Sequence, residues 1–150
     1  MSSRSGIDQA GFLLQRAHRR LRMAHNEALA SLGLNIAHVA VLGLLGERGD
    51  LSQRQLIDLM DADKSTMVYL VDELEAQVLV ERRTDPSDRR AYAVHLTDAG
   101  RKRLQEAGAV AARVERECLA ALSPRERTQF SNLLRRIVEH VDPATSRGRR

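Results

Sequence analysis

In a chain whose apolar residues otherwise recur every three or four positions, one stretch keeps a different period: Tyr92, Val94 and Leu96 alternate with Ala91, Ala93 and His95. A two-residue repeat is the mark of a half-buried strand. Just upstream, Asp85-Pro86-Ser87-Asp88 places Asp first and Pro second, as a type I turn prefers. The pattern predicts a single hairpin, with strands at 79–84 and 91–96, set inside a helical chain. The hairpin is also cationic, with Arg82, Arg83, Arg89 and Arg90 around its turn. A surface hairpin needs polarity but not this much positive charge.

Helix signals bracket the hairpin. Leu14, Ala17, Leu21, Ala24 and Ala28 form the stripe of a long amphipathic helix from Ile7 to about Ser31, which Gly33 ends. A second, more apolar helix follows, with Asn35 as N-cap and Gly46 or Gly49 near its end. Ser52 and Gln55 make a capping box, in which each side chain satisfies a free N–H of the first turn. The next helix starts at Asp61 or Asp63 and buries Met67, Leu70, Val71 and Leu74. Two short helices this close read as a helix-turn-helix. After the hairpin, Thr97 caps a helix to about Leu122 with Leu104, Ala107, Ala111, Val114 and Cys118 on one stripe. Ser123-Pro124-Arg125-Glu126 opens the last helix, whose apolar face is Phe130, Leu133, Leu134, Ile137 and Val141.

The expected fold class is therefore mainly α with a small β-hairpin (α+β): a winged helix-turn-helix flanked by N- and C-terminal dimerisation helices. Within one domain over 1–150, residues 34–97 form the winged part, 7–33 and 98–141 the helical dimerisation part, and 142–150 a basic tail. One winged domain offers too little surface to cover the flanking apolar stripes, so they are expected to cover each other across a two-fold axis as a homodimer. The composition agrees: 43% hydrophobic but only 3% aromatic residues favour helix-on-helix packing of small aliphatics. A lone cysteine excludes an intrachain disulfide and fits a reducing cytoplasm. No apolar segment is long enough to span a bilayer, so no membrane partner is expected.

At this point the sequence resembles the MarR (multiple antibiotic resistance regulator) family of winged-helix transcription factors, over about residues 10–140. The stretch "DKSTMVYLVDELEAQVLVERR" resembles the family's recognition helix and first wing strand, and "DRRAYAVHLTDAG" matches its D-x-R then L-T-x-x-G signature at Asp88, Arg90, Leu96, Thr97 and Gly100. The resemblance implies a homodimer and repression relieved by a small ligand or by oxidation. The chain departs from the family at Gln77 and Val78, where a glycine is common before the wing. It also lacks the first-helix cysteine by which some relatives sense peroxide, and Cys118 is expected to be a packed small hydrophobe.

At about 100° per residue, Met67, Leu70, Val71 and Leu74 centre on one side of the recognition helix, so Ser65, Tyr69 and Asp72 point the other way with Lys64, Thr66 and Val68 on the flanks. The N-terminal half of such a helix enters the major groove. There the hydroxyls approach base edges, Val68 touches a thymine methyl, and Tyr69 donates to a base or phosphate. Asp72 is expected to orient Arg82 or Arg83 through an ion pair. Arg90 occupies the family's wing-arginine position for a narrow minor groove, with Asp88 holding its fork. Arg89, Arg82 and Arg83 are assigned to phosphates, and Gln53 and Arg54 to further backbone contacts. A dimer implies a pseudo-palindromic site with half-sites about 10 bp apart.

The resemblance also suggests a pocket for an aromatic carboxylate or phenol, for which Arg16, His18, His25 and His38 are candidates; histidines hydrogen-bonded at a dimer seam are the alternative. No metal site is expected, since neither Cys nor an acidic partner stands at ligand spacing to them. No cofactor is implied. Enzyme signatures are absent from the sequence, including H-E-x-x-H, G-x-S-x-G and a phosphate-cradling glycine loop. The rival class is a winged-helix protein-interaction scaffold without DNA binding, which would favour a neutral or apolar hairpin tip. RNA binding lacks the aromatic stacking platform that single strands need.

Overall fold

A computed structural model describes residues 9–141 other than Pro86, with the side chains of Arg89 and Arg90 also outside the description. Ile7, the expected first helical residue, and the basic tail fall outside the described residues. The chain divides into two compact units, Met1–Val114 and Glu115–Arg150.

In the first unit, α1 (Ala10–Leu29) runs into a 3-10 turn, Ala30–Leu32, then α2 (Ile36–Arg48), β1 (Leu51–Ser52), α3 (Gln53–Met60) and α4 (Lys64–Ala76). The hairpin β2 (Val80–Asp85) and β3 (Asp88–Leu96) precedes α5 (Asp98–Cys118). The fold is the expected one, mainly helical with a small antiparallel sheet. The sheet has a third strand that was not expected, because Leu51-Ser52 reads in sequence as a helix start. The order is β1-β3-β2, with Leu51 opposite Val94 on one side of β3 and Arg82 opposite Val94 on the other. Leu51 is buried beside Val94, so two residues of pairing anchor the start of the helix-turn-helix to the wing.

The hairpin strands reach closer to the turn than 79–84 and 91–96. Asp85 tightens that turn, its Oδ1 accepting from the Ser87 N–H at 2.8 Å and the Ser87 hydroxyl at 2.6 Å. This is the local bonding by which Asp mimics a backbone turn. Val94 and Leu96 are buried as their alternation requires, but Ala93, on the alternate face, is buried as well and Tyr92 is exposed. It lies opposite Thr84 on the distal part of the hairpin, where Thr84 is exposed too.

Capping decides most helix starts. Ser52 and Gln55 form the expected reciprocal box, at 3.2 and 2.8 Å. Asn35 caps α2, and its box partner is His38, an unforeseen third-position residue. Asp63, not Asp61, caps α4; Asp61 instead takes the left-handed conformation that ends α3. The end of α4 is a six-to-one closure, with Leu79 N–H bonded to Leu74 O at 3.0 Å and Val78 N–H to Glu75 O at 2.9 Å. That motif needs a left-handed residue, and Val78 supplies it at φ 58°. The helix thus ends as it would with glycine, but with a β-branched residue in the glycine position.

The core gathers Leu29, Val41, Leu42, Leu45, Leu56, Met67, Leu70, Val71, Leu74, Leu79, Val80, Val94 and Leu96. Each large aliphatic side chain buried in this way contributes roughly 1.5–3 kcal/mol. Thr97 joins the wing to α5: its hydroxyl donates to Val78 O at 2.7 Å and accepts from Gly100 N–H at 3.0 Å.

The second unit holds the end of α5 and α6 (Pro124–Val141). α5 stops at Cys118 rather than Leu122, and Cys118 is exposed, so among the described residues nothing within the protomer packs over this part of its stripe. A capping box between Ser123 and Glu126 starts α6, and Arg127 Nε donates to the carbonyls of Leu119 and Leu122 at 3.1 and 2.9 Å. On α6, Leu133, Ile137, Val138 and Val141 are exposed. Phe12, Leu13 and Leu14 of α1 are exposed too. Among the described residues, no single helix is long and apolar enough to cross a membrane.

Candidate nucleic-acid interface

α4 is anchored by one face. Met67, Leu70, Val71 and Leu74 are buried, which leaves Lys64, Ser65, Thr66 and Tyr69 exposed and Val68 half-buried. Arg54, on the neighbouring α3, is exposed as well. The residues assigned to the major groove are therefore together on the outer side of the second helix of the motif.

Their hydroxyls are not free rotors. Ser65 Oγ donates to Asp63 Oδ1 and Thr66 Oγ1 to Asp63 Oδ2, both at 2.7 Å, while Thr66 N–H completes the cap at 2.8 Å. The Ser65 hydroxyl bond above all, then the two bonds from Thr66, holds the Asp63 carboxyl well below the usual carboxylate range. Tyr69 donates its phenol proton to Glu73 Oε1 at 2.6 Å. That hydrogen bond and the charge of Glu73 raise the phenol above its ordinary pKa. Tyr69, expected to donate to a base or phosphate, thus has its donor engaged within the helix.

Glu73 has a second partner. Its Oε2 lies 2.9 Å from Nε2 of buried His38. Nδ1 of that ring accepts from the Asn35 N–H at 3.1 Å, so the proton sits on Nε2 and His38 is the donor to Glu73. One run of bonds therefore leads from the first turn of α2 through Glu73 to the exposed phenol on α4.

Arg82 ties the wing to the helix-turn-helix. Its guanidinium pairs with Asp72 at 2.5 Å and with Glu75, and its Nε donates to Gln53 on α3 at 3.3 Å. Its backbone N–H also donates to Glu75, at 2.9 Å. Burial pulls the Arg82 pKa down, but the bonds and charges of Asp72 and Glu75 outweigh it and hold the pKa above the usual arginine value. The expected Asp72 ion pair is present, and with it the Arg82 side chain spans from the wing to α4. The side chain is only 22% exposed. Arg83 is half-exposed and pairs with Glu81 on its own strand. Asp88 is exposed near the turn, but the side chains of Arg89 and Arg90, and so the expected Asp88–Arg90 contact, lie outside the described residues.

The candidate effector residues have separate surroundings. Arg16 stands 5.8 Å from the centroid of the Phe12 ring, a cation–π contact on an exposed stretch of α1, and His18 is exposed nearby. His25 is buried, with Nδ1 2.8 Å from Leu21 O, and His38 is held by Asn35 and Glu73 as above. Two of the four, His25 and His38, are therefore hydrogen-bonded within the protomer.

Sequence reasoning missed the two glutamates that organise this surface. Glu73 was legible, because it follows Tyr69 by one helical turn. Glu75 was not, since only the fold brings it to Arg82.

Residues 32–91, the helix-turn-helix and most of the wing, match the family model described as MarR family. A MarR-family transcriptional regulator from Rhodococcus sp. RHA1 is 32% identical and superposes with a TM-score of 0.83, over 90% of this chain and 96% of that one. The structure of CouR from Rhodococcus jostii RHA1 bound to p-coumaroyl-CoA is also 32% identical, with a TM-score of 0.80, over 94% of this chain and 97% of that one. The HTH-type transcriptional repressor NicR of Pseudomonas putida is 29% identical over 91% of this chain and 87% of its own.

Proposed function

Because this chain belongs to the MarR family of DNA-binding transcriptional regulators, we propose that it acts as a homodimeric repressor of a pseudo-palindromic operator, released by an aromatic acid or phenol. In this reading α4 enters the major groove and Arg90, at the family's wing position, enters the minor groove. Arg54, Lys64, Arg83 and Arg89 neutralise phosphates, and the molecule works in the cytoplasm.

The observation that carries the reading is the outer face of α4: Lys64, Ser65, Thr66 and Tyr69 are exposed together, and Arg82 ties the neighbouring wing to the same helix through Asp72. Dimerisation through 7–33 and 98–141 is supported by the exposed apolar residues of α1 and α6, which water alone would cover in a single protomer. Repression is supported by the name of the Pseudomonas relative. An aromatic effector is supported by the p-coumaroyl-CoA bound to CouR. Arg16 and His18, exposed on α1 beside the equally exposed Arg19, Arg20 and Arg22, are suited to such an anion.

Mobility shifts of the chain's own promoter region across salt test this. Affinity should fall by a power of about 0.9 for each phosphate neutralised. Arg90→Ala should weaken binding, and phenolic acids should release the complex. Salt-independent binding, or a single-protomer mass by sedimentation, would overturn the proposal.

A further inference from the structure

We propose that α4 selects bases through oxygen acceptors, so that on the strand it contacts it prefers the amino bases adenine and cytosine over guanine and thymine. This rests on the DNA-binding function proposed above and says which chemistry the major-groove face reads.

A carboxylate has no proton to give, so every hydroxyl bonded to one must donate. Ser65 and Thr66 donate to the oxygens of Asp63, and Tyr69 donates to Glu73. What each oxygen still presents outward is lone pairs. The polarity is fixed from below. Asp63 also caps the helix through Thr66 N–H, so turning away would abandon the cap. Glu73 accepts from His38, which is 4% exposed, and rotating Glu73 would strand a buried N–H.

In the major groove, adenine N6 and cytosine N4 are donors, whereas guanine O6 and N7 and thymine O4 are acceptors. Ser65 Oγ, Thr66 Oγ1 and Tyr69 Oη match the first set. Against the second set, oxygen would face oxygen, and both would lose water without a partner. Phosphate oxygens are acceptors as well, so Tyr69 does not serve as a phosphate ligand. Lys64, the donor among the exposed residues at this end of α4, is left for that.

Selection of bound duplexes from a random library, with the full-length protein, tests the proposal. Positions facing α4 should favour adenine or cytosine about three- to tenfold each, the value of one net hydrogen bond. Tyr69→Phe should lose the preference at one position per half-site. Asp63→Asn keeps the capping oxygen, which also accepts from Ser65, but turns an amide donor toward Thr66 Oγ1, so the preference facing Thr66 should relax while those of Ser65 and Tyr69 remain. In the selected site, purine in place of adenine, or 2-pyrimidinone in place of cytosine, should weaken binding by the same factor, and 7-deazaadenine should not. Guanine or thymine at these positions, or a loss on removing N7, overturns acceptor readout while leaving DNA binding intact. Failure to bind any duplex in a salt-sensitive way overturns both.

Discussion

The carbonyl oxygen of Leu79 occupies the place where a side chain on Gly100 would begin: a Cβ there would stand 2.1 Å from it and 2.6 Å from Leu96 Cδ1. Leu79 is where the chain leaves α4 for the wing, and Gly100 is in the first turn of α5. Gly100→Ala is expected to force these backbones apart and destabilise the protein by about 2–3 kcal/mol, in the range of overpacked cores. Urea unfolding measures this, and an unchanged midpoint would contradict the close approach.

Val78 should behave in the opposite way. A β-branched residue in the left-handed region costs about 1–2 kcal/mol, part of which glycine would recover before its own loss of chain entropy. Val78→Gly is expected to stabilise by about 0.5–1 kcal/mol with operator affinity unchanged. Since Val78 is 66% exposed, little packing is lost. A lower midpoint in the same urea experiment would show that its side chain matters more than its backbone.

Arg82 allows two roles to be separated. As a strut between Asp72, Glu75 and Gln53, its replacement by Ala should cost about 1–2 kcal/mol of stability, discounted for the exposure of its partners. Operator affinity should fall while the slope of log affinity against log salt stays the same. If Arg82 neutralised a phosphate instead, the slope would shrink by about 0.9.

The cap on α4 should respond to acid. The Asp63 carboxyl is lowered in the folded protein, so its contribution is complete above the ordinary carboxylate value of 3.8 and is lost as pH falls through its lowered folded value. Asp63→Asn lacks this charge. Wild type should exceed the variant in stability at neutral pH, and the gap should close in acid, as followed by helical ellipticity during urea unfolding. A gap that ignores pH would remove the carboxylate from the account.

What was legible in the chain was local. Asn35, Ser52 and Ser123 cap helices because their hydrogen bonds reach only three residues along, and Val94 and Leu96 are buried together because they share the sheet face that meets the core. What was hidden depends on distance in sequence. The pairing of Leu51 with Val94, the hold of Glu75 on Arg82 and the bond of His38 to Glu73 each join residues that only the finished fold makes neighbours. Tyr69 illustrates the boundary. Its exposure followed from helical spacing, but the direction of its proton required knowing where Glu73 was held. Cys118 marks a different limit, since a stripe identifies a face without saying whether the protomer or a second copy covers it.

The two-residue length of β1 has a further consequence for how the sheet meets other chains. β3 is flanked on both sides, so the sheet's outer margins are β1, too short to template another chain, and β2, studded with Glu81, Arg82 and Arg83. Such margins resist strand addition from a neighbouring molecule, and concentrated protein therefore does not invite the wings to polymerise.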